Sequence, residues 1–156
     1  MNITEFQKSR FGLFIHWGIY SIPARGEWVR SNEEMKEEEY IPFANEFDPD
    51  LFDPHQWAKL AKAAGMKYAV MTAKHHDGYC MFDTKTTDWK ANRDYVREFL
   101  DAFRQEGLKV GLYYSLLDWH HPDYPHYNDK HHPERNNAEY DKPICFSNYL
   151  NYMHTQ

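Results

Sequence analysis

Cysteine is scarce: Cys80 and Cys145 are the two present in 156 residues. That is too few for a disulfide framework or a cysteine-based zinc site, so free thiols are expected. No run of about 20 apolar residues exists, which excludes a transmembrane helix. The opening Met1-Asn2-Ile3-Thr4-Glu5 lacks the basic and apolar regions of a signal peptide, so a cytoplasmic setting is the expectation. Positive charge is scattered and outnumbered, 18 Lys and Arg against 24 Asp and Glu, for a net charge of −6. Such a surface repels phosphates, so neither nucleic acid nor an anionic membrane is expected as a partner. Low-complexity tracts and internal repeats, beyond a strand–helix rhythm, are also missing.

What the chain has in quantity is aromatic rings, 17% of residues, with 5 Trp, 12 Tyr and 10 Phe. Most belong in a core, and the remainder suit stacking against sugars or bases. At this length the expectation is one domain over residues 1–156. The stretch Tyr68–Ala73 is short, apolar and rich in β-formers, bounded by Gly65 and Gly78. It predicts a strand covered on both faces, as in a parallel sheet. Phe11–Trp17 and Leu108–Ser115 predict two more strands. Asp53-Pro54 predicts a helix start, with Trp57, Leu60, Ala61 and Ala64 as its apolar stripe and Gly65 at its end. Asp94 opens another helix, striped by Val96, Phe99, Leu100 and Phe103 and stopped at Gly107. Ser31 and Glu34 resemble a capping box ahead of a solvated acidic helix over Glu33–Tyr40. Pro122 to Pro143 predicts a long loop. Tyr149, Leu150, Tyr152 and Met153 predict a last helix.

The fold class is therefore α/β, with a parallel sheet. The βα loops are long and rich in His, Trp and Asp, unlike the short glycine turns of a doubly wound sheet. That pattern favours a partial (β/α)8, TIM-like barrel of about three to four βα units. Three strands leave two unpaired edges, which predicts self-association into a homo-oligomer, by edge pairing or domain swapping.

Each strand ends in chemistry: His16-Trp17, then His75-His76-Asp77, then Tyr113-Tyr114 followed by Asp118-Trp119-His120-His121. Strand ends are where barrels build their sites. Histidines with a carboxylate could ligate a divalent metal. No His-x-His pair lies on the first strand, however, and adjacent strand residues point to opposite faces, so regular geometry turns only one of His75 and His76 inward. No metal is predicted. The other reading is sugar binding: imidazoles to hydroxyls, Glu27 as a bidentate acceptor, Trp17 or Trp28 beneath an apolar ring face. Retaining glycoside hydrolysis needs two carboxylates about 5 to 5.5 Å apart. Glu27, Asp77 and Asp118 are candidates by position alone.

Four ordered motifs then carry a resemblance: Arg10-Phe11-Gly12-Leu13-Phe14-Ile15-His16-Trp17-Gly18, Gly26-Glu27-Trp28, Ala73-Lys74-His75-His76-Asp77-Gly78-Tyr79 and Gly111-Leu112-Tyr113-Tyr114-Ser115. With Phe47-Asp48-Pro49, Phe52-Asp53, Trp57-Ala58 and Ala63-Ala64-Gly65, the chain from about Phe6 onward resembles the family 29 α-L-fucosidases. The resemblance implies a retaining hydrolase with a (β/α)8-like catalytic domain that removes terminal α-L-fucose from oligosaccharides or glycoconjugates, without a cofactor. It implies that His16, Glu27, Trp28, His75, His76 and one of Tyr113 and Tyr114, here taken as Tyr114, hold the fucose hydroxyls.

One departure matters. The family's nucleophilic aspartate lies in a Trp-Phe-Asp-Gly-like motif on the fourth strand, and that motif is absent from these residues. The chain therefore resembles the N-terminal part of a fucosidase, with Glu27, Asp77 or Asp118 as surrogate bases and weak or partner-dependent activity expected. The alternative is a non-catalytic, fucose-binding or self-assembling half-barrel.

Overall fold

The computed structural model describes residues 2–126, 129–138 and 142–156. Three strands, β1 (Gly12–Ile15), β2 (Tyr68–Lys74) and β3 (Lys109–Tyr114), form one parallel sheet with β2 in the middle. Gly12 pairs with Tyr68, and Tyr68 with Lys109, so the strands start level. Each strand is preceded by a helix: α1 (Ile3–Ser9) before β1, α4 (Pro54–Ala63) before β2, and α5 (Tyr95–Gln105) before β3. The long β1–β2 connection also carries a short helix α2 (Val29–Asn32) and an acidic helix α3 (Glu37–Glu46). The last helix is α6 (Phe146–Thr155).

Local chemistry explains the starts. The Asp53 carboxylate accepts the Gln56 N–H at 3.0 Å with Pro54 at the first helical position, and Asp94 accepts the Arg97 N–H at 2.7 Å. Both helices end at glycines with positive φ, Gly65 at +84° and Gly107 at +73°. On one face of the sheet Leu13, Ile15, Ala69, Met71, Ala73 and Val110 join a core with Ala58 and Ala61 of α4 and with Val96, Phe99, Ala102 and Phe103 of α5. A second cluster, Trp119, Tyr124 and Tyr149 with Trp28 and Tyr152, ties the loops after β1 and β3 to α6.

Three local expectations need correction. The acidic helix is displaced to Glu37–Glu46, runs through Pro42, and opens after Lys36, whose backbone N–H donates to the Glu39 carboxylate at 2.8 Å, rather than at a Ser31–Glu34 box. Ser31 instead donates to the His131 carbonyl at 2.6 Å. Glu34 binds Arg135 and Asn136 at 2.8 Å each, so this is not a merely solvated face. In α4, Leu60 is 64% exposed and the small Ala58 and Ala61 face the sheet, because there the helix packs close to its neighbours. Helix α1 adds to the expected elements, opened by the Asn2 side chain accepting the Glu5 N–H at 2.9 Å. The loop predicted over Pro122 to Pro143 includes residues 127, 128 and 139–141, and the opening includes Met1, all outside the described residues.

Candidate active site at the C-terminal rim

The site grows from the ends of the strands. Thr72, in the middle strand, donates its hydroxyl to the Trp17 carbonyl at 2.7 Å and accepts the Trp17 N–H at 3.0 Å. This double clamp holds the chain just after His16. Past Thr72 the ladder slips: Thr72 pairs with Tyr113, yet Lys74 pairs with Tyr114. That bulge ends the regular strand, so His75 and His76 sit in the turn beyond it. Strand alternation no longer governs them. Both imidazoles join one cluster, their centroids 4.1 Å apart, where regular geometry had predicted only one.

Around that pair the rings are continuous. His16 lies 4.7 Å from His75, Tyr20 5.1 Å, and Tyr113 6.0 Å. Trp28 lies 4.7 Å from His76 and Trp119 5.3 Å from it, the two indoles being 5.5 Å apart. Glu27, half-buried before Trp28, acts electrostatically on His76 and Tyr20. Desolvation, then neighbouring His76, His16 and Lys74, lowers the pKa of His75 to about 3. Desolvation and then Lys74 lower that of His76 to about 4. Both rings are therefore neutral at pH 7, suited to hydrogen-bonding hydroxyls rather than attracting anions.

Two expected site residues lie elsewhere. The Trp17 ring packs into the core against Phe47, Phe52, Trp57 and Tyr95 at 5.1–5.8 Å, because neighbouring positions alternate across the sheet and His16 takes the open face. By the same alternation Tyr114 points away from the cluster, its ring under the Lys74 ammonium at 4.7 Å, and Tyr113 joins it instead. Two of the three carboxylates are committed to structure. Asp77 is fully enclosed, accepting the Tyr40 hydroxyl at 2.9 Å and the Tyr79 N–H at 3.0 Å. Burial pushes its pKa up to about 6 against those two bonds. Asp118, 1% exposed, pairs with Lys74 at 2.9 Å and accepts the N–H groups of His120 and His121. Both are thus buried and held by partners from within the fold.

Residues missed by sequence reasoning are Tyr20, Ser115, Trp119 and His131, the last 5.2 Å from Trp28. Ser115 and Trp119 lay within stretches singled out in the sequence, Tyr20 and His131 did not. Among the described residues no group of three or more His, Cys, Asp or Glu side chains could hold a metal ion, and no helix is long and apolar enough to cross a membrane.

A parallel βα sheet with an imidazole- and indole-lined rim at its strand ends defines part of a (β/α)8 barrel of the glycoside hydrolase type. The chain belongs to the α-L-fucosidase family, whose model, described as Alpha-L-fucosidase, matches residues 2–156. It is 39% identical over 141 residues to the tissue alpha-L-fucosidase of Rattus norvegicus, an overlap of 76% of this chain and 30% of that protein. The solved alpha-L-fucosidase isoenzyme 1 from Paenibacillus thiaminolyticus superposes with a TM-score of 0.95 at 61% identity, over 99% of this chain and 38% of that one. The Thermotoga maritima alpha-fucosidase in complex with fucose gives 0.69 at 38% identity, over 73% and 34%. The chain thus spans between 30% and 38% of the length of these relatives.

Proposed function

We propose that this chain supplies the fucose-holding part of an α-L-fucosidase site, acting on terminal α-L-fucosides, with His16, Glu27, Trp28, His75, His76 and Tyr113 around the sugar. One observation carries the reading: His16 from one strand end meets the neutral His75 and His76 of another at one rim, flanked by Trp28 and Glu27. Uncharged donor–acceptor rings beside an indole face match a deoxy sugar, which offers hydroxyls on one side and a methyl group and apolar hydrogens on the other. With Asp77 and Asp118 committed to the fold, these 156 residues by themselves hold the sugar better than they cleave it. Loss of a covalent nucleophile commonly costs several orders of magnitude in rate.

The test is release of p-nitrophenol from its α-L-fucoside by the purified chain, beside His16→Ala and Glu27→Ala variants. A low rate abolished by either change is expected. Equal traces from all three would assign the rate to a contaminant. The second reading, a non-catalytic fucose-binding and self-assembling half-barrel, draws on the same buried carboxylates and on the two sheet edges, near which Phe14 is 52% and Leu112 45% exposed. Calorimetric heat with L-fucose without turnover, together with a dimer or larger species in light scattering, would favour it.

A further inference from the structure

The Ser115 hydroxyl, 1% exposed in the buried wall of the rim, has three neighbours. Its oxygen lies 2.9 Å from the Leu117 carbonyl oxygen, 3.0 Å from the Leu117 nitrogen and 2.6 Å from His76 Nδ1. A hydroxyl has one proton and two lone pairs. Two oxygens 2.9 Å apart repel unless a proton lies between them, and a carbonyl has none to give. The serine proton is therefore committed to the Leu117 carbonyl. Its lone pairs receive the Leu117 N–H and one other donor, and the remaining neighbour is His76 Nδ1, which must then carry hydrogen.

From this geometry we infer that Ser115 is a positioning residue that fixes His76 as the Nδ1–H tautomer, so that Nε2 meets a ligand as a hydrogen-bond acceptor. The lock is itself anchored. Lys74 Nζ donates to the same Leu117 carbonyl at 3.2 Å and to Asp118 at 2.9 Å, holding Leu117 where the serine needs it. The depressed pKa of His76, about 4, means that the ring carries one proton rather than two at pH 7. His75 provides a contrast: its Nδ1 is buried with no hydrogen-bond partner among the described residues, so nothing comparable selects its tautomer.

The consequence is a polarity requirement. The hydroxyl that His76 contacts must donate its proton, and a group that only accepts cannot replace it. The sugar part of this inference rests on the fucose-holding reading; the tautomer is a property of the protein without ligand.

The experiment uses the 156-residue chain with 15N-labelled histidine. Long-range proton–nitrogen NMR at pH 7 distinguishes protonated from bare ring nitrogens, with a His76→Gln sample assigning the signals. The expected result is protonated Nδ1 and bare Nε2 at His76, kept in Ser115→Thr and lost or mixed in Ser115→Ala, with His75 unmoved. A wild-type His76 protonated at Nε2, or a tautomer indifferent to Ser115→Ala, overturns the proposal even if a variant folds poorly.

Calorimetry then uses L-fucose and its monodeoxy and monodeoxyfluoro analogues. Fluorine accepts weakly and does not donate, so at the position facing His76 the fluoro sugar should bind no better than the deoxy sugar. Ser115→Ala should weaken L-fucose binding about three- to tenfold, the size of one hydrogen bond. Fluoro sugars that outbind the deoxy sugars at every position would overturn the acceptor role. Silence with L-fucose alongside an Nδ1–H His76 would instead remove the sugar assignment and leave the tautomer lock standing.

Discussion

Gly78 closes the turn that holds His75, His76 and Asp77, with φ at +77°, a region L-residues with side chains rarely occupy. A Cβ there would also meet the Asp118 carboxylate and lie 2.9 Å from the His120 Cβ. Asp118 cannot yield easily, since it is bonded to Lys74 and to two backbone N–H groups. Gly78→Ala should therefore lower the unfolding free energy by about 2–4 kcal/mol, combining strain with overpacking. Gly26, with φ at +97° and open space around it, isolates the strain alone, so Gly26→Ala should cost about 1 kcal/mol. Urea titrations of the two variants measure the difference. Equal losses would mean that the Asp118 contact contributes nothing.

At the scale of elements, α4 and α5 cover the same sheet in different ways. In α5, Phe99 and Phe103 are fully buried with ring centroids 4.5 Å apart, as their spacing predicts. In α4 the close-packed positions are alanines, and Leu60 is left 64% exposed. Phe99→Ala should thus cost about 3–5 kcal/mol through the cavity it leaves, whereas Leu60→Ala should stay within about 0.5 kcal/mol. Chemical denaturation of the pair checks this, and a large loss at Leu60 would restore the stripe expected from periodicity. The helix starts at Asp53 and Asp94 and the stops at Gly65 and Gly107 were legible, because a cap is a bond between residues three apart in the chain. The acidic helix was misplaced by several residues, because Ser31 and Glu34 have a capping pattern yet find stronger partners about a hundred positions away, in His131 and Arg135.

Across the whole molecule, buried imidazoles dominate the response to acid. His75, His76 and His132 titrate at about 3, 4 and 4 when folded, against 6.5 unfolded, with burial the leading cause for each. The unfolded chain takes these protons first, so their contribution is whole above pH 6.5 and is lost as pH falls toward 4. Asp77 opposes them. Its pKa of about 6, against 3.8 unfolded, lets the folded state take a proton first, which adds stability as pH falls from about 6 to 4. Those three histidines, joined by His121, whose pKa burial also lowers, outweigh the one carboxyl and predict a urea midpoint that declines from pH 7 to pH 4.5, with a shallower decline in His76→Gln. A midpoint that rises over that range would show that the rim histidines are not desolvated.

The succession of strands and helices, the caps at Asp53 and Asp94 and the four motifs were determined by the sequence itself, since each depends on residues close together along the chain, and the parallel sense followed from that succession. Which side of the sheet those motifs serve was decided by tertiary structure. A single bulge at β2 brings His75 and His76 into one cluster, alternation sends Trp17 and Tyr114 away from it, and Tyr113 takes the place expected for Tyr114. Tertiary structure also decided which carboxylates remain available. Asp77 and Asp118 are chemically equal to Glu27 on paper, but Tyr40 and Lys74, distant in sequence, bury and occupy them. A charged group's role depends on what desolvates and pairs it, and those partners come from other elements.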